Sequence, residues 1–97
     1  MDEHTEGILI NIIEEASEVS QIAAKCLRFG LESFDPNDPD KTTNAVLLSR
    51  EIGNLRYMAD QGMASDFIDD KEIGKGYLHK AERLKKYPLI IKGKSNE

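Results

Sequence analysis

The stretch Ile8-Leu9-Ile10-Asn11-Ile12-Ile13-Glu14-Glu15-Ala16-Ser17-Glu18-Val19 decides the fold class. Its apolar positions do not alternate; they return after three or four residues. Leu9, Ile12, Ile13, Ala16, Val19, Ile22, Ala23 and then Cys26 or Leu27 keep that step, which is the spacing of one helix face. The period predicts a first helix from about Asp2 to Leu31. Gly7 weakens its start by about 1 kcal/mol relative to Ala, so a start after Gly7 is equally compatible, and Gly30 reads as the C-terminal stop.

Outward from that helix, Ser33-Phe34-Asp35-Pro36-Asn37-Asp38-Pro39-Asp40 cannot continue it and predicts a surface loop over about 32–42. Asp35, Asn37 and Asp40 carry oxygen donors, but the glycine and distal glutamate of a calcium loop are missing, so the segment reads as turn-forming. A second helix is expected from Thr42 or Thr43 to about Gln61, capped by Thr or Asn and stopped by Gly62. Ala45, Leu48, Ile52, Leu55 and Ala59 form its expected buried stripe. A third helix, from Asp69 or later to Tyr87, would bury Ile73, Tyr77, Ala81 and Leu84 and end at Pro88, with Gly74 and Gly76 blurring its start. A loose polar tail is expected at about 92–97. No strand-like alternation or internal repeat appears, so the fold class is all-α, with residues 1–97 as one helical domain.

Composition narrows the partners. A formal charge of −5 argues against a nucleic-acid backbone as the main ligand. No apolar run reaches the length of a membrane span, and Met1-Asp2-Glu3-His4 lacks the basic start of a signal peptide, so a cytoplasmic address is expected. A single cysteine, Cys26, excludes an internal disulfide and a Cys-rich zinc module; it reads as core filling, as do Met58 and Met63. His4 and His79 have no ligand-spaced partner. Six per cent aromatics and no Trp leave a small aliphatic core, so burial through self-association would help so short a chain.

The acids stand where a plain bundle would not put them. On a helix, Glu14 and Glu15 share a side with Glu18, and Glu51 shares one with Asn54 three residues on. Both groups are embedded among core-type residues. If the first two helices pack antiparallel, the two oxygen-bearing pairs face each other, and a hard divalent cation, Mg²⁺ before Mn²⁺, would neutralise them. The alternative is a solvated acidic face, since Glu is a good helix former. Spacing alone leaves both open.

Glu14-Glu15-x-x-Glu18 followed by Glu51-x-x-Asn54 resembles the E-E-x-x-E … E-x-x-D signature of the all-α nucleoside triphosphate pyrophosphohydrolases. Lys25-Cys26-Leu27-Arg28-Phe29-Gly30-Leu31, Thr43-Asn44-Ala45 and Lys80-Ala81-Glu82-Arg83-Leu84-Lys85-Lys86-Tyr87 extend the likeness to MazG-like members, especially short phage-encoded ones. The resemblance covers most of 8–87. It implies a helical bundle assembled as a homodimer or homotetramer, working in the cytoplasm (a host's, if phage-encoded). The implied activity splits nucleoside triphosphates between the α- and β-phosphates, giving the monophosphate and pyrophosphate. By position, Glu15, Glu18, Glu51 and Asn54 would bind the metal, with Glu14 beside them to orient the attacking water or bind another ion.

Asn54 stands where the pattern has Asp, and an amide oxygen can ligate a hard cation without supplying charge. That departure predicts weaker metal affinity or slower turnover, and it leaves a non-hydrolytic nucleotide-binding module as the alternative. Lys25 and Arg28 would grip phosphates from the first helix, or stand as solvated surface; Lys80, Arg83 and Lys86 would add a second grip contributed by a neighbouring subunit, or complement the dipole of the last helix. Asn44 would read a base or sugar edge, or cap its helix. Tyr87 would stack on a base, or close its helix against the core.

Overall fold

Asp2 starts the first helix: its carboxylate accepts a hydrogen bond from the Thr5 amide at 2.7 Å. Glu3 and Glu6 fill the first turn, where acids complement the helix dipole. With that cap in place, α1 runs Glu3–Phe29, straight through Gly7. It ends at Gly30, whose φ of 100° is strained for any residue with a side chain. The structure is a computed structural model and describes residues 1–86.

The segment between the first two helices is ordered by its own acids. Asp35 accepts from the Asn37 amide, and Asp38 accepts from the amides of Asp40 and Thr42, each at 2.9 Å. These are side-chain turns, the role expected of Asp in such a stretch. Phe34 and Thr43 form an isolated antiparallel bridge that closes the loop. Asn44 fastens its base: the Asn44 amide donates to Ser33 at 2.8 Å and its side-chain nitrogen to the Gly30 carbonyl at 3.0 Å.

Thr43, not Asn44, caps the second helix, accepting from the Val46 amide at 3.3 Å. α2 runs Asn44–Ala64 and does not stop at Gly62. Gly62 is buried there because Phe67 and Ile68 fold back onto it, and a β-carbon would collide with the Ile68 side chain. The turn is made by Asp66, at a left-handed φ of 65°. Asp69 then accepts from the Lys71 amide at 2.8 Å and opens α3, Asp70–Lys86, with Gly74 and Gly76 inside it. Among the described residues the elements are helices and turns, so the fold is all-α. Tyr87, Pro88 and the tail at about 92–97 lie outside the described residues.

α1 and α2 form an antiparallel hairpin, while α3 packs closely on neither. Ile8 is the one apolar residue among those described that is fully buried, at 4% exposure. Leu9, Ile12, Ala16, Val19, Ile22, Ala23 and Cys26 of α1 are half-buried against Ala45, Leu48, Leu55, Met58 and Ala59 of α2. Three expectations change here. Ile13 turns away from α2, Cys26 rather than Leu27 carries the last step of the α1 face, and Ile52 is exposed at the edge of α2. On α3, Ile73, Tyr77 and Ala81 are exposed, with Leu84 half-covered. The molecule measures 44 × 42 × 17 Å, one helix thick, with a radius of gyration of 16.8 Å against about 13 Å for a globular domain of 100 residues.

Candidate metal centre

The hairpin brings acids from both helices to one place. Glu15, Glu18 and Glu51 each offer a carboxylate oxygen, and these three atoms lie within 4.8 Å of one another. Exposed acids can gather by chance, but here two oxygens are sealed: Oε2 of Glu15 and Oε2 of Glu51 are out of reach of solvent and have no hydrogen-bond partner among the described residues. A buried carboxylate oxygen left without a donor is unfavourable. The donor set suits a hard cation that takes oxygen ligands.

Electrostatics say the same. The Glu15 carboxyl is pushed above its ordinary value, first by sharing a hydrogen bond with Glu51, then by burial and by the charges of Glu51, Glu18 and Glu14. Glu18 is raised too, by its hydrogen bond to Glu51, by the Glu51 charge, by burial and by Glu14. Glu14 itself is exposed on the rim. Without an ion, the cluster resists full ionisation.

Asn54 lies beside the cluster, on the same side of α2, and its side-chain nitrogen donates to Oε1 of Glu51 at 3.1 Å. In this arrangement it braces a carboxylate. An Asp there would add a further negative charge.

The expected phosphate-binding residues divide. Lys25 lies two turns beyond Glu18 on α1, about 10 Å along the axis. It lines an open cleft of about 390 Å³ with Phe29, Phe34, Asp35 and Asn44. Arg28 holds its guanidinium 5.1 Å from the centre of the Phe29 ring. Lys80, Arg83 and Lys86 are exposed on α3, which packs closely on neither of the helices that carry the acid cluster. The expected Tyr87 contact falls outside the described residues. His4 and His79 are exposed.

Phe29 and Phe34 were not singled out by spacing. Phe29 shares a side of α1 with Lys25 four residues earlier, and Phe34 joins them because Asn44 ties the second helix to Gly30 and Ser33; the available signal was two aromatics flanking a Pro/Asp loop in a chain poor in aromatics. No helix among the described residues is long and apolar enough to cross a membrane. No protein-family model, curated protein or solved structure matches the chain.

Proposed function

We propose that the chain is a Mg²⁺- or Mn²⁺-dependent pyrophosphohydrolase of the MazG-like kind, acting on nucleoside or deoxynucleoside triphosphates as a homodimer or homotetramer. The observation that carries this reading is the three-carboxylate cluster with its two sealed, unpaired oxygens. Glu15, Glu18 and Glu51 would hold the metal, with Asn54 supporting Glu51 and available as an uncharged oxygen ligand. When bound, the ion supplies charge neutralisation for the phosphates and for the leaving pyrophosphate.

The protein groups supply the rest. Glu14, exposed beside the cluster, orients a water toward the α-phosphorus. That water adds to phosphorus as the bond to the bridging oxygen breaks; pyrophosphate leaves, the monophosphate remains, and the water's proton passes to a carboxylate and then to solvent. Lys25 and Arg28 steady phosphate oxygens. The cleft two turns away is placed for the base, with the rings of Phe29 and Phe34 as stacking faces and Asn44 on its wall.

Pyrophosphate release from a panel of NTPs and dNTPs, with Mg²⁺ or Mn²⁺, tests the reading. Glu18→Gln should abolish release while leaving the helical circular-dichroism spectrum intact. Unchanged release from that variant would overturn the assignment. Asn54 favours one second reading, a nucleotide-binding module that does not hydrolyse, because it contributes a hydrogen bond rather than a fourth charge. Binding without release across the panel would select it.

A further inference from the structure

Stacking on Phe29 and Phe34 cannot tell one base from another, because every base has a π-face. Discrimination in the cleft falls to its polar groups, and one residue fixes their sign. Asn44 is the buried polar residue among those described, at 4% exposure. Its backbone amide donates to the Ser33 carbonyl at 2.8 Å and its Nδ2 to the Gly30 carbonyl at 3.0 Å. The second bond settles which way the side-chain amide faces, since a carbonyl accepts only from the NH₂ end. Oδ1 is what remains. No described residue donates to it, and it is not one of the sealed oxygens found at Glu15 and Glu51. Asn44 lines the cleft, so the cleft holds an acceptor that cannot turn into a donor.

The next polar group has the same sign. Asp35 also lines the cleft, and an ionised carboxylate only accepts. One of its oxygens takes the Asn37 amide at 2.9 Å, and the other has no donor among the described residues. The Ser33 hydroxyl serves either way. Lys25 is the cation on this wall, and the proposed reaction engages it with phosphate. At about 390 Å³ the cleft is within the range of small-molecule sites.

We propose that the cleft selects nucleotides whose base carries an exocyclic amino group (adenine, cytosine or guanine) over those of uracil and thymine, and that Oδ1 of Asn44 receives the amino N–H. An amino group turns two hydrogens outward. Uracil and thymine offer a single ring N–H set between two carbonyls, so a wall of acceptors meets a carbonyl oxygen whenever it takes that hydrogen. Asn44 cannot adapt, because turning its amide over would break the bond to Gly30. A base without the amino group therefore covers Oδ1 and leaves it unpaired, which weakens binding by about tenfold. This selectivity presupposes the nucleotide reading of the cleft and adds to it which bases are taken.

Isothermal titration of the wild-type chain with α,β-methylene nucleoside triphosphates and Mn²⁺ tests it, the methylene bridge blocking the proposed cleavage. The best-bound base should carry an amino group, and the uracil and thymine analogues should bind about tenfold more weakly. The des-amino counterpart of the best-bound base (purine for adenine, pyrimidin-2-one for cytosine, hypoxanthine for guanine) should lose about the same factor. Phe34→Ala should weaken all the bases alike and keep that ratio, whereas Asn44→Ala should bring the ratio close to one. The substrate series reads the same contact should Asn44→Ala fail to fold. Tightest binding of uracil or thymine, which would turn Lys25 to a base carbonyl, overturns the proposal. So does removal of the amino group without effect, which would give Oδ1 to a sugar hydroxyl; in both cases the nucleotide reading stands. Absence of binding by every analogue removes both.

Discussion

Glu51 touches both raised carboxyls, so it is the residue whose replacement says most. Glu15 and Glu18 hold their protons more tightly in the fold than the ordinary value of 4.5. Between 4.5 and their raised values the folded chain binds more protons than the unfolded one, so stability falls as pH rises through that window. Asp2 and Asp38 have the opposite sign. Backbone amides, of Thr5 and of Thr42 with Asp40, hold them below 3.8, and the stability they give is lost as pH falls through those lowered values. The metal-free protein should therefore melt highest near pH 4.5 and progressively lower above it, with Mg²⁺ or Mn²⁺ restoring the melting point at pH 7. Glu51→Gln should flatten the fall above pH 4.5 and remove the response to metal; thermal melts read both effects. At the cleft, if the proposed activity holds, Phe34→Ala should raise KM for a nucleotide substrate by about tenfold with kcat retained, while inhibition by inorganic triphosphate, which has no base, should be unchanged.

Gly30 apart, which does end α1, element boundaries were set by caps rather than by glycines. Gly7, Gly62, Gly74 and Gly76 all lie inside helices. A helical glycine costs about 1 kcal/mol, less than a good cap and a packed face return. The three helices and their order were legible from the three- and four-residue steps, and the acid cluster from Glu15, Glu18 and Glu51 once two helices were taken as antiparallel. Ile13 was not placed correctly, because the two apolar sides of α1 overlap in the sequence and their steps interleave. The Phe29–Phe34 cleft was not legible either, since it depends on how Asn44 closes the loop. At Gly62 a methyl group meets Ile68, so Gly62→Ala should cost about 1 to 3 kcal/mol in chemical denaturation, despite the better helix former. Asp66→Gly should act the other way and stabilise by about 1 kcal/mol, because it relieves a left-handed backbone at the same turn.

For the whole molecule, the dominant fact is shape. Three helices in a plate 17 Å thick leave α3 with exposed Ile73, Tyr77 and Leu78 and little to hold it within its own chain. Helices of this length are marginal on their own. In hydrogen exchange the amides of α3 should therefore exchange faster than those at the centres of α1 and α2, where the hairpin contacts lie. Equal protection of all three helices would show that α3 is covered by something outside its own chain. The thinness of the plate also bears on how the chain reaches its folded form. Should the proposed homo-oligomer form, a layer with so little interior gains further burial on meeting its double, and the half-time of refolding should then shorten as the protein is made less dilute.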